Sequence, residues 1–99
     1  MSKESKILTL HPQGKRGVNI DFNKYEQVKD VILKIVEENT AISFSDMADL
    51  SNEILLQQHF NGKPLWYITT VKLDLEARGI IERIPKTSPH KIRLVSKKA

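Results

Sequence analysis

Apolar residues return every three or four positions in three stretches of this chain, and two shorter stretches near its end read as strands. Asn23, with Glu26 three residues on, forms the cap and reciprocal partner that open the first helical stretch. Tyr25, Val28, Ile32, Ile35 and Val36 then fall on one face, which predicts a helix from about Asn23 to Glu38, broken at Asn39-Thr40. Ala41-Ile42-Ser43 leaves room for a short strand. Ser43 or Ser45 caps a second helix, in which Phe44, Met47, Leu50 and Ile54 repeat at helical spacing, with Leu55 and Phe60 beyond. Asn61-Gly62 reads as the left-handed stop of that helix.

Pro64 lacks a backbone N–H and suits the first turn of a third helix, where that donor has no partner to lose. This helix places Ile68, Val71 and Leu75 on one side, with Trp66, Leu73 and Ala77 close beside them; Trp66 is read as a packing residue. Leu65, Thr69, Lys72 and Glu76 make a mostly polar stripe expected to face outward. Gly79 ends the helix. Strands are predicted over Ile80–Ile84 and Lys91–Val95, joined by the turn-rich run from Pro85 to His90. At the other end, Ile7-Leu8-Thr9-Leu10 has the composition of a strand and His11 to Gly17 that of a loop or arm. The expectation is therefore an α+β chain of winged helix-turn-helix type: three helices, then a two-stranded β-wing, with room for a short N-terminal strand. Residues 1–20 form a basic arm or strand, 21–96 the winged-helix domain and 97–99 a tail.

At 99 residues and 39% hydrophobic content, the chain supports one small core and not two. It has no cysteine, which removes disulfides, thiolate metal sites and cysteine nucleophiles. Its start lacks the apolar core of a signal peptide, and no run approaches the roughly 18 residues that cross a bilayer, so a cytoplasmic protein without a membrane partner is expected. The net charge of +4 is unevenly spread. Residues 1–17 carry +3, residues 18–60 carry −5 and residues 61–99 carry +6. Basic ends around an acidic middle suit a surface that meets a polyanion.

The second helix of a helix-turn-helix pair fits the major groove of duplex DNA, and a hairpin beside it reaches the backbone. Thr69, Thr70 and Lys72 are the candidate contacts from the third helix, and Tyr67 is placed to hydrogen-bond a phosphate. Arg83, Lys86, His90, Lys91 and Arg93 make the wing basic, and Lys15 with Arg16 supplies an auxiliary arm. Asp74 and Glu76 lie on the same third helix, and Glu76 also stands four residues from Lys72 as an intrahelical partner. Contact led by phosphates and weighted toward the wing is therefore expected over detailed base reading. The other reading is a protein-docking or dimerisation module that binds no DNA, since fold does not settle function. The acids Glu37, Glu38, Asp46, Asp49 and Glu53 suit a basic partner or solvent.

Thr70-Val71-Lys72-Leu73-Asp74-Leu75-Glu76-Ala77-Arg78-Gly79-Ile80-Ile81-Glu82-Arg83 resembles the helix-to-wing segment of bacterial winged-helix regulators of the MarR and PadR type. A second resemblance spans most of the chain. His11-Pro12, Gly14-Lys15, Gly17, Trp66-Tyr67 and the run from Val71 to Gly79 are similar to a family of small, uncharacterised bacterial proteins carrying a domain of unknown function. That resemblance implies a bacterial cytosolic origin and a winged-helix-like fold, and transfers no activity. The regulators dimerise through flanking helices for which this chain has no room, so a homodimer would need the N-terminal arm or the first helix.

No enzyme is expected. HExxH, Gly-rich phosphate-loop, Gly-x-Ser-x-Gly and EF-hand patterns are missing, and His11, His59 and His90 stand far apart in sequence. Gly14-Lys15-Arg16-Gly17 lacks the spacing and the following helix of a phosphate loop. No catalytic residue, metal ligand or cofactor is assigned.

Overall fold

The chain was analysed as a computed structural model, which describes residues 5–15, 17–87 and 90–95. Arg16 and the tail 97–99 lie outside the described residues. The elements run β1 (Lys6–Leu8), β2 (Asn19–Asp21), α1 (Phe22–Asn39), β3 (Ile42–Ser43), α2 (Phe44–Gln57), α3 (Pro64–Ala77), β4 (Ile81–Ile84) and β5 (Lys91–Leu94). Among the described residues the fold is α+β, with three helices and two small antiparallel sheets.

Local chemistry sets the helix ends. Asp21, not Asn23, caps α1: its carboxylate accepts the backbone N–H of Lys24 at 3.0 Å, so the helix starts one residue earlier than expected. Glu26 pairs with Lys29 at 3.5 Å. Ser43 caps α2 by accepting from the N–H of Asp46 at 3.1 Å. The α2 terminus differs from the expected Asn61-Gly62 stop. His59, at φ 58°, is the left-handed residue; its N–H donates to the carbonyl of Leu56, and Phe60 N–H donates to that of Leu55. Those are the two bonds of a Schellman motif, formed without glycine because histidine tolerates this region better than branched residues. Gly79 supplies the same motif after α3, at φ 75°, with Gly79 N–H on Glu76 and Ile80 N–H on Leu75.

Three strands, not two, make the C-terminal sheet, in the order β3-β5-β4. Ile42 pairs with Ile92 and Ser43 with Lys91, so the two-residue strand β3 between α1 and α2 covers one edge of β5 while β4 covers the other. The short N-terminal strand expected within Ile7–Leu10 is present as β1, and a partner strand, β2, makes the stretch a hairpin. β1 pairs with β2 in the register Lys6–Asp21, Ile7–Ile20 and Leu8–Asn19, and Ile7 and Ile20 face the helices. Thr9 locks the far end: it is buried, its hydroxyl donates to Val18 O at 3.0 Å, and its Oγ1 accepts from Val18 N–H at 3.1 Å.

The core gathers where the three helices meet the sheet. Val28, Ile32 and Val36 of α1, Met47 and Leu55 of α2, Ile68, Val71 and Leu75 of α3, and Ile92 of β5 are all fully buried. The apolar periodicity predicted most of this set. Among the described residues no helix is long and apolar enough to cross a membrane.

A candidate interaction surface on the third helix

α3 is apolar or uncharged for its first eight positions, Pro64 to Val71, and carries all its charge in the second half, at Lys72, Asp74 and Glu76. These three do not face solvent as a groove-reading helix would need. Asp74 is fully buried. It accepts hydrogen bonds from the Tyr25 hydroxyl at 2.5 Å and Leu10 N–H at 2.8 Å, and Arg78 Nε lies 2.8 and 3.0 Å from its two oxygens. One carboxylate thus joins α1, the N-terminal hairpin and the end of α3. Burial first, then the hydrogen bond to Asp74, raises the Tyr25 phenol well above its ordinary range; the same carboxylate raises the Arg78 guanidinium.

Lys72 was expected to face outward and is instead buried. Its ammonium lies 3.0 Å from Glu76 Oε2 and 5.1 Å from the centre of the Phe44 ring. Four residues separate the pair, one helical turn, so the α-helix itself places them together. The ring and the close pairing make this side of α3 an inner wall. Lys72 is thereby removed from the candidate DNA contacts. The expected result of Lys72→Met is a loss of stability, because Glu76 Oε2 is then buried without its cation; Lys72→Met with Glu76→Leu should regain most of it. A double-mutant cycle by urea melts should give a coupling of roughly 1–3 kcal/mol, and a coupling near zero would show the pair to be solvated.

The remaining candidates scatter. Thr69 is exposed, and Thr70 is half-buried against Leu10 and Val18 of the hairpin. Tyr67 is held edge-on between Phe60 and Trp66, at ring-centroid distances of 5.1 and 5.0 Å. Lys15 is exposed on the hairpin loop. Arg83 and Lys86 are exposed, Lys86 at φ 63°, while Arg93 is tied across the hairpin to Glu82 at 2.7 Å. Strand alternation puts Arg83 on the same side as Ile81 and Ile92, and Lys91 with Arg93 on the opposite side. His90 is half-buried, its Nε2 has no hydrogen-bond partner among the described residues, and burial, with Arg83 and Lys72 near, lowers its pKa. His11, Gln13, Leu73, Glu76, Glu82 and Arg83 line one open groove of about 500 Å³. The N-terminal loop, α3 and β4 do converge there, but around two acids. Lys91 sits at a separate cleft, beside Asp46 and Asp49 at the N-terminus of α2.

The sequence reading put Trp66 inside, and the structure puts it outside. Trp66 is 48% exposed and its neighbour Leu65 53%. Between Trp66, Tyr67 and the hairpin lies a depression lined by Lys6, Asn19, Ile20 and Lys24, with Asp21 occupied in capping α1. Lys24 stands 5.5 Å over the Tyr67 ring, and Lys63 is exposed at the N-cap of α3. Gly62 allows the aromatic row to close up, since a Cβ there would lie 2.9 Å from the Tyr67 ring. The result is a half-exposed indole with an exposed apolar neighbour, Leu65, and lysines nearby. The missed signal was the lack of polar periodicity in α3: a helix that is apolar nearly all round does not say which side is buried.

Among the described residues no three His, Cys, Asp or Glu side chains gather as a metal site requires. No curated protein and no solved structure matches the chain. One family model does, over residues 6–92, which takes in the N-terminal hairpin, α1 to α3, β3, β4, the first two residues of β5 and the Trp66 surface. The chain belongs to that family, a family of unknown function designated DUF6958.

Proposed function

We propose that this chain is a winged-helix-like docking module that binds protein, without catalysis, through the outer side of α3. The element order and the sheet order β3-β5-β4 support the winged-helix part, because a strand between the first two helices pairs with the last strand of the hairpin. The observation that carries the docking part is the exposure of Leu65 and Trp66 on the helix that a DNA-binding relative would insert into the groove. Tryptophan is among the residue types enriched at protein interfaces and at their energetic centres.

Duplex DNA fits this surface less well. α3 turns Lys72 inward, the bases of the β4–β5 hairpin point to opposite sides, and Asp46 and Asp49 occupy the start of α2, where a phosphate would be repelled. Fluorescence anisotropy with random-sequence duplex DNA, read from low to moderate salt, separates the two functions. The docking reading expects weak binding at most, with a log–log salt slope shallower than about −2; a slope of about −4 or steeper, the signature of several phosphate contacts, would return the protein to DNA. A second expectation concerns the surface itself. Trp66→Ala should leave the melting temperature within a few degrees of the wild type, as exposed positions do, whereas a core tryptophan would cost about 3–5 kcal/mol.

A further inference from the structure

The charges of this molecule are sorted by face, and the sorting selects an occupant for the Trp66 surface. Trp66 shares a depression with Lys6, Lys24 and the capping Asp21, and Lys63 is exposed two residues before Leu65. On the solvent side of α2, Asp46, Asp49, Leu50, Glu53 and Leu56 follow at helical spacing and all are exposed, Leu50 by 41% and Leu56 by 58%. One face is thus apolar with a lysine rim and the other apolar with a carboxylate rim, with Lys91 at one margin of the second. α2 and α3 turn their buried sides to a common core, at Met47, Ser51 and Leu55 and at Ile68, Val71 and Leu75, so their outer sides diverge. Within one chain the two faces cannot meet.

Resting on the docking reading above, we propose that the occupant of the Trp66 face is a second copy of this chain, presenting the acidic side of its α2. Pairing like faces across a two-fold axis would set lysine against lysine or carboxylate against carboxylate, whereas head-to-tail pairing sets each rim against its opposite. The apolar centres, Leu65 and Trp66 against Leu50 and Leu56, supply the contact area, and the rims supply orientation. A head-to-tail contact leaves one unused face of each kind at the ends, so association is open and grows with concentration.

Sedimentation velocity on the full chain tests this. The wild type is expected to increase in mean mass with concentration and to dissociate as salt screens the rims. Two variants at exposed positions are then compared, after melts establish that both fold: Leu65→Ser with Trp66→Ala, and Asp49→Lys with Glu53→Lys. Each alone should associate at least about tenfold more weakly than the wild type. An equimolar mixture should form a 1:1 dimer and stop there, because each variant retains one working face. If the Asp49/Glu53 variant still dimerises while the Leu65/Trp66 variant does not, the contact is a two-fold pairing of Trp66 faces and the head-to-tail proposal is wrong. A wild type that stays monomeric at about millimolar concentration also overturns it. Failure of the docking reading registers separately, as steeply salt-dependent DNA binding.

Discussion

Replacing Asp74 with alanine is expected to lower the stability of the fold by about 3 kcal/mol, read as a fall of roughly 15 °C in melting temperature. The size follows from what loses its partner. The Tyr25 hydroxyl and the Leu10 N–H both donate to this fully buried carboxylate, and its removal takes the acceptor from each. Arg78 is about one-third exposed and can turn to water, which keeps the cost at the low end of the range for a broken buried pair. Asp74→Asn keeps an acceptor oxygen and should lose less. A drop below about 1 kcal/mol for the alanine variant would mean that water replaces the carboxylate.

The same network gives a pH dependence with a definite sign. The folded-state pKa of Tyr25 lies above its unfolded value, mainly through burial and then through Asp74, so the folded state holds that proton more tightly. Its contribution is complete below about pH 10 and is lost as pH rises above that point. Alkaline unfolding should therefore release the Tyr25 proton with the transition, visible as phenolate absorbance appearing together with loss of helix signal.

Gly17→Ala is expected to cost about 2–3 kcal/mol, with damage concentrated in the N-terminal hairpin. A Cβ at Gly17 would stand 1.7 Å from the carbonyl oxygen of Thr9 and 2.6 Å from its carbonyl carbon. Backbone has no rotamer to escape into, so the hairpin must open. That opening also moves Leu10, whose N–H sits on Asp74, and carries the disturbance into the core. Gly14 provides the control. It has φ +75° but nothing near its missing Cβ, so Gly14→Ala carries only the left-handed conformational penalty of about 1–2 kcal/mol. Amide exchange at Thr9, which donates to Val18 O at 2.9 Å, should accelerate strongly in Gly17→Ala and little in Gly14→Ala. Equal effects at the two positions would put the cost in the dihedral angle, not in the contact.

Much of the fold was legible because its signals are local. Ser43 capping α2, Pro64 opening α3 and Gly79 closing it all depend on neighbours within a few residues, whereas the short strand at Ile42-Ser43, though suggested by the break between two helices, is completed by β5 far along the chain. Where local signals competed, the reading slipped. Asn23 and Asp21 are both good caps, and Asp21 also pairs with Lys6 in the β1–β2 ladder, which fixes it at the junction of strand and helix. His59 and Gly62 both accept positive φ; the Schellman bonds form at His59, and Gly62 is left to make room for Tyr67. The hairpin partner β2 gave little sign of itself, being three residues with a single buried side chain.

The candidate surface was far less legible. Lys72, Asp74 and Trp66 occupy one helix, and the spacing along it ranks Lys72 as outside and the tryptophan as inside. The structure reverses both and buries Asp74 as well, since Tyr25 and Leu10, far along the chain, donate hydrogen bonds to Asp74, and Phe44 sets its ring beside Lys72. By itself, the sequence determined the three helices, their boundaries at Ser43, Pro64 and Gly79, most of the buried apolar set and the basic–acidic–basic partition of charge. Only the tertiary structure decided which side of α3 meets water. A helix apolar on nearly every side is indifferent to its own rotation, and the buried bonds to Asp74 and Lys72 fix that rotation and leave Leu65 and Trp66 exposed.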